Sequence, residues 1–354
     1  MTPQASNPLH DLTVDGLESG ELDEPATREL GALYSSWLRE IWPATTAEAH
    51  RRLEVDLGIE PGTSGGHVWI ARRPDGGAVG GLTVAEPGQN GASVPCWLFV
   101  QPEWRGRGIA RELLSCLGRF SRRAGVSGAT VTTTSSAPAG ARLAERLAGA
   151  ILMRRRMYEV EVGDLERNLL RSRSRTFLAD DLALEIFEGP YPEGDLRELA
   201  GLRGAIYRTY GHDLGESDVL RSFEDFDRVA AELGLRRIGA LARERTPGHQ
   251  AVGLVETIWD PRGPAVLAGW QEAVVPRRRG ARLGASLTAA LLLEVERRLP
   301  EVRVIRFGTH EDAYGLHGRA EKIGFEPRHR ETRWRISSEA LQRPAPRAPR
   351  RSRR

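Results

Sequence analysis

A segment repeated at an offset of 174 residues constrains this chain more than any other feature. Val100–Leu114 reads VQPEWRGRGIARELL and Val274–Thr288 reads VVPRRRGARLGASLT. Val100 aligns with Val274, Pro102 with Pro276, Arg105 with Arg279, Gly106 with Gly280 and Leu113 with Leu287, whereas Gly108 meets Arg282. At that spacing each copy sits in a stretch of domain size, and 354 residues are ample for two hydrophobic cores.

The surroundings of the two copies share one order of elements. In the first half, Pro25–Ile41 carries apolar residues at helical spacing (Leu30, Leu33, Tyr34, Trp37, Leu38, Ile41), and Ala47–Leu57 continues it. Three strand-like runs follow, HVWIARR, GAVGGLTVAE and ASVPCWLFV, separated by PDGG and PGQNG. After the repeat come a helix from about Gly108 to Ala124, the strand GATVTTT, the helix ARLAERLAG and the strand ILMRRRMYEVEV. The second half offers helices at Asp195–Tyr210 and Ser217–Leu233, then strands RRIGALARER, AVGLVETIW and AVLAGWQEAVV. Its repeat leads into the helix LTAALLLEVERRL, the strand VRVIRFGT, a helix ending near Ile323 and the strand FEPRHRETRWRI. The pattern predicts an α/β (α+β) chain of two tandem domains, 21–165 and 179–338, each a mixed, mostly antiparallel sheet flanked by helices. Residues 166–178 read as a linker, 1–20 as a disordered start and 339–354 as an Arg/Pro-rich disordered tail.

Charge and cysteine content narrow the classes. The last twelve residues hold six arginines and no acid, twice the net charge of +3, so the rest of the chain is net acidic. Nucleic acid is thus expected at most nonspecifically, through that tail. No apolar run approaches the roughly 20 residues that cross a bilayer, and the polar N-terminus has no signal-peptide pattern, which predicts a cytoplasmic protein away from membranes. Cys96 and Cys116 lack metal-ligand spacing, so no metal is expected, and Cys116 fits a buried helical position.

A strand followed by Arg-x-x-Gly-x-Gly/Ala and a helix suits a diphosphate. Glycines turn the backbone tightly and expose successive N–H groups, and the helix start adds unpaired donors and partial positive charge. Arg105, Gly106, Arg107, Gly108, Ile109 and Ala110 fit fully; Arg279, Gly280, Ala281, Arg282, Leu283 and Gly284 fit with one glycine replaced. A Rossmann dinucleotide loop is excluded, because three strands precede the glycines and their spacing differs. The motif, with its V-x-P lead-in and flanking elements, resembles the GNAT acetyltransferases, and the two copies resemble the tandem, mycothiol-synthase type. The resemblance covers most of residues 20–163 and 180–337. It implies two GNAT-like domains, acetyl-CoA as co-substrate, transfer of an acetyl group to an amine of a small molecule or peptide, and acyl-CoA lying along Leu98, Phe99, Val100, Val274 and Val275 beside the glycine loops. A non-catalytic acyl-CoA-binding or regulatory role is the alternative.

Acyl transfer to an amine calls for a base and often an acid for the leaving thiolate. Glu272, seven residues before Arg279, is the first candidate base; its counterpart, Leu98, does not titrate. Glu256, Glu86 and Glu40 are lesser candidates. The resemblance implies a tyrosine five residues before the Phe of a closing Gly-Phe pair, yet Ala320 holds that place before Gly324-Phe325, and Glu145 holds it before Gly149-Ala150. Tyr314 is the candidate acid, with His317 as substitute and His310 nearby. Aromatic residues within Trp37–Trp42 and Tyr207–His212 are candidates for the acceptor pocket. The second half is therefore expected to catalyse and the first to bind acyl-CoA or support the fold.

Overall fold

The computed structural model describes residues 12–18, 23–42, 66–84, 93–175, 181–191, 193–209, 220, 227–228, 230–231, 234–246, 248–280 and 282–342. The chain divides into two compact units: unit 1 is Met1–Arg155 with His329–Arg354, and unit 2 is Arg156–Arg328.

Unit 1 begins with β1 (Thr13–Glu18), α1 (Glu24–Ile41), β2 (His67–Arg72), β3 (Ala78–Val84) and β4 (Val94–Val100). It continues with α2 (Ile109–Ala124), β5 (Gly128–Thr134), α3 (Pro138–Arg146) and the first part of β6 (Ala150–Glu161). The Asp23 carboxylate caps α1 by accepting from the Ala26 N–H at 2.8 Å. Gly76, at φ +87°, turns the β2–β3 hairpin. Gly125, at φ +66°, ends α2.

Unit 2 contains α4 (Arg167–Ser174), β7 (Leu182–Glu188), α5 (Leu196–Thr209), β8 (Arg236–Glu244), β9 (Ala251–Trp259) and β10 (Val266–Val274). Then come α6 (Leu283–Arg298), β11 (Val304–His310) and α7 (Tyr314–Lys322). The chain next returns to unit 1 through β12 (Glu326–Ser337) and α8 (Ser338–Gln342).

The two halves therefore exchange their closing strands. Unit 1 orders its sheet β1-β2-β3-β4-β5-β12, and unit 2 orders its sheet β6-β11-β10-β9-β8-β7. β12 pairs antiparallel with β5 from Glu331↔Thr134 to Ser337↔Gly128. Most neighbours are antiparallel; β4–β5 and β10–β11 are parallel. This corrects the contiguous boundaries read from the sequence, because the second half's last strand and helix complete the first unit. Further corrections concern the ends and the linker. β1 lies within the expected disordered start, and α4 occupies the expected linker with Leu170 buried in the core of unit 2. α8 extends into the expected tail and buries Leu341. The expected helix at 47–57 lies outside the described residues, as does most of the one at 217–233.

Each sheet is covered on both faces. In unit 1, α2 packs Leu113, Leu114 and Leu117 against Val84, Ala129, Trp334 and Ile336. Trp334 of β12 donates its indole N–H to Thr133 Oγ1 at 2.8 Å. The opposite face holds Leu30, Leu33 and Tyr34 of α1 against Ile70 and Phe99. In unit 2, α6 is buried nearly all round, with Leu287, Leu291, Leu292 and Val295 in the core. α5 packs Leu199 and Ala200 against Leu241, Leu254 and Ala273. Gly80 and Gly253 permit the same close approach in both units. A Cβ at Gly80 would meet Ile109 at 2.9 Å, and one at Gly253 would meet Leu287 at 2.7 Å. Both cysteines are buried, and burial pushes the Cys96 thiol up to about 12, which keeps it protonated.

Candidate active site

In each unit the sheet opens beside the repeated loop. β4 and β5 pair only at Val94↔Ala129 and Pro95↔Thr130, and β10 and β11 only at Val266↔Val304 and Leu267↔Ile305. Beyond those residues the parallel strands separate, which leaves one edge of β4 and of β10 facing a gap. In unit 2 the pairing of β10 with β9 is also irregular between Ala268 and Gln271, where Gly269 has φ +91°.

At the end of β4 a single turn, Pro102–Trp104, leads into the first corner. Gly106 has φ +77° and Gly108, the N-cap of α2, has φ +92°. Gly108 has no side chain to cap the helix, and among the described residues nothing lies within 4 Å of a Cβ built on Gly106. The first-turn N–H groups of Ile109 and Ala110 thus face open space at the positive end of the helix. The Arg105 guanidinium braces the corner from behind. It donates to Val100 O at 3.0 Å and to both Glu40 oxygens at 2.8 and 2.6 Å. Arg107 lies over the Trp104 ring at 4.5 Å.

The second corner follows the same path. Pro276–Arg278 forms the turn, and Arg279 donates to Val274 O at 3.2 Å, as Arg105 does to Val100 O. Gly280 has φ +82°. Arg282 takes the place of Gly108 as N-cap of α6 and adopts the same left-handed conformation, φ 62° and ψ 2°. The substituted glycine therefore costs strain but keeps the path of the backbone. Ala281 lies outside the described residues. Arg173 of α4 adds charge here. Burial lowers its pKa, and the charges of Arg319 and Arg282 lower it further. One buried Arg173 nitrogen has no hydrogen-bond partner among the described residues. The sequence reading missed this residue because it lies in the Arg/Ser-rich run taken for a linker.

Positive-φ glycines with free space around them, uncapped helix starts and a strand edge facing a gap fit the diphosphate and pantetheine arm of an acyl-CoA. Residues 64–147 match the family model described as Acetyltransferase (GNAT) domain. A tandem GNAT protein from the clavulanic acid biosynthesis pathway superposes with TM-score 0.73 at 19% identity, over 92% of this chain and 98% of that one. The chain carries the GNAT fold in tandem. A GCN5-related N-acetyltransferase from Sphaerobacter thermophilus matches with TM-score 0.64 at 16% identity, over 93% of this chain and 96% of that one. A putative acetyltransferase from Pyrococcus horikoshii matches with TM-score 0.56 at 11% identity, over 94% and 92%. No curated protein matches the chain by sequence. Among the described residues no helix is long and apolar enough to cross a membrane, and no cluster of His, Cys, Asp and Glu is arranged to hold a metal.

Within this tandem GNAT frame the Tyr314 and His317 rings lie 6.4 Å apart on α7, the helix whose Arg319 bonds Glu272. Both Glu272 oxygens accept from Arg319 of α7, at 2.8 and 2.6 Å, and Thr288 Oγ1 donates to Glu272 at 3.4 Å. A Cβ at Gly284 would lie 2.1 Å from Glu272 Oε1, so that glycine admits the carboxylate to the start of α6. Tyr314 is the first residue of α7 and is 77% exposed, while Ala320 is buried in the core. His317 is buried, with Nδ1 3.0 Å from the Tyr158 hydroxyl and Nε2 2.9 Å from Glu311 O. His310 Nδ1 accepts from the Asp312 N–H at 3.3 Å. Glu256 is buried and accepts from Tyr191, with Arg203 at 3.1 Å and Arg237 at 3.5 Å. Glu40 serves Arg105. Glu86 and the side chains of Tyr207–His212 lie outside the described residues. Tyr34, Trp37 and Phe99 form an aromatic cluster with centroids 5.4 to 5.6 Å apart, and Trp42 caps α1.

Proposed function

We propose that this chain is an acyl-CoA-dependent N-acetyltransferase that acts on an amine of a small molecule or peptide. The observation that carries the reading is the same in both units: a parallel strand pair that separates after two residues, beside an uncapped helix start reached through a left-handed corner. The backbone N–H groups of Gly106–Ala110, and of Gly280 with Arg282–Gly284, would hold the diphosphate. The open edges along Leu98–Val100 and Glu272–Val275 would align the arm. When bound, acetyl-CoA supplies an acyl group activated as a thioester. Transfer forms a C–N bond and breaks a C–S bond; one proton leaves the amine and one reaches the sulfur.

The sequence suggested that unit 2 catalyses through Glu272 and Tyr314. The side-chain geometry supports the opposite division. One Arg319 nitrogen bonds both Glu272 oxygens and holds the carboxylate as an ion pair, and Tyr314 stands in solvent. Unit 2 then binds acyl-CoA and unit 1 transfers. The test uses the full chain, with melting followed in acetyl-CoA and transfer followed against an amine panel. Acetyl-CoA should raise the melting temperature, and Gly106→Val and Gly280→Val should each diminish that ligand-dependent rise. Absence of any rise would end the reading. Glu272→Gln should change turnover by less than about threefold, against the roughly hundredfold or more expected on removal of a general base; a loss of that larger size would return catalysis to unit 2. Binding without transfer to any amine would establish the non-catalytic alternative.

A further inference from the structure

Unit 1 holds a cavity of about 190 Å³ where β4 and β5 part, lined by Trp97, Thr130, Thr132, Arg155, Glu331 and Arg333 among others. It opens on the face covered by α1. Trp97 packs against the cluster beneath α1, whereas Trp334 and Ile336, the alternate residues of β12, face the α2 core. His329, Glu331 and Arg333 therefore form one row toward α1, and the His329 ring lies 4.6 Å from that of Trp42 at the helix end.

The charges in this row are unbalanced. Arg155 bonds Glu331 at 2.5 Å, and His329 Nε2 lies 3.5 Å from the other Glu331 oxygen. Burial alone would raise the pKa of Glu331, but His329 and Arg155 together outweigh it and hold the carboxyl below its usual range. Arg333 has no counterpart of this kind. Among the described residues its guanidinium has no hydrogen bond and no ion pair, and burial and then the charge of Arg155 lower its pKa. A half-buried guanidinium that lines a cavity and pairs with no carboxylate among the described residues favours a planar anion, which its fork binds through two parallel hydrogen bonds.

We propose that this cavity binds the acceptor, and that the acceptor is an amine that also bears a carboxylate: the carboxylate pairs with Arg333 and the amino group lies on Glu331. The acceptor role rests on the transferase reading above; the carboxylate site rests on Arg333 and the cavity alone. Glu331 keeps lone pairs beyond those used by Arg155, enough to accept from an ammonium and to orient it toward the gap at Trp97. The site includes residues from near residue 330 although it opens beside β4, so no local motif in the sequence reveals it.

The full chain is assayed with glycine and each of the standard L-amino acids, and with the matching amino acid amides. At least one amino acid should raise the melting temperature without acetyl-CoA and be acetylated with it, and its amide should show a KM about thirty-fold higher. Arg333→Gln should abolish the melting response to the amino acid and raise KM about thirty-fold, while kcat and the response to acetyl-CoA stay within about twofold. Arg333→Lys should recover part of the loss. Amides as good as the acids, no response to any amino acid, or an Arg333→Gln chain indistinguishable from the parent would each overturn the proposal. Failure of acetyl-CoA alone to shift melting would strike the transferase reading and leave the carboxylate site to be judged by the amino acid response.

Discussion

The faces beneath α1 and beneath α5 occupy equivalent places in their units but are built from opposite chemistry. In unit 1 the face is aromatic and apolar around Tyr34, Trp37 and Phe99, with its charges gathered at the far end by Glu331 and Arg333. In unit 2 a carboxylate, Glu256, is buried at the centre between Arg203, Arg237 and Tyr191. Strand pairing places Thr83 opposite Trp97 and Glu256 opposite Gln271, so a threonine in one unit answers to the charged hub of the other. Burying several charges together requires nearly complete pairing and leaves little room for a guest. The apolar face is held by packing and has a polar cavity at its edge. One backbone plan thus carries a charged hub in one unit and an apolar face edged by a cavity in the other.

The largest expected effect breaks the comparison outright. Residues 1–165 alone lack β12, and with it Trp334, Ile336 and Leu341 of the α2 core, so this fragment should fail to give a cooperative unfolding transition. Joining 326–342 to 1–155 through a flexible linker should restore one, as read by circular dichroism. Next, Glu256→Ala removes the buried carboxylate shared by Arg203 and Arg237 and should cost about 3–5 kcal/mol in chemical denaturation. Thr83→Ala should cost less than about 1 kcal/mol, because the buried Thr83 hydroxyl has no partner among the described residues. Third, Arg282→Gly should stabilise the chain by about 1 kcal/mol by relieving a left-handed non-glycine residue, and Gly108→Arg should destabilise it by a similar amount. The smallest effect is on pH dependence, since burial offsets much of what His329 and Arg155 contribute at Glu331. Its folded-state pKa is depressed, so its contribution is complete above the unfolded value of about 4.3 and is lost as the pH falls through the lower folded value. Glu331→Gln should flatten that acid limb.

The sequence revealed the parts of the fold that repeat locally. The corners after β4 and β10, the helices that follow them and the central strands were readable because glycine spacing and apolar period act over a few residues. β1 and β7 were missed, since TVDGLE and LALEIFE are edge strands that mix apolar and charged residues. The exchange of β6 and β12 was not readable, because either strand has the pattern required to close either sheet. The site divides the same way. Backbone donors at Gly106 and Gly280 follow from the motif, whereas the engagement of Glu272 by Arg319, the tie of Glu40 to Arg105 and the row of His329, Glu331 and Arg333 depend on contacts between distant segments.

The crossed final strands also bear on how the molecule is made. During synthesis the edge of β5 stays bare until β12 has left the ribosome, so the earlier unit cannot complete its sheet before the later one has been translated. A prematurely terminated product would then contain a unit with an open sheet edge and an unfinished core. Both units reach maturity together, and loss of the chain's end is felt first near its beginning.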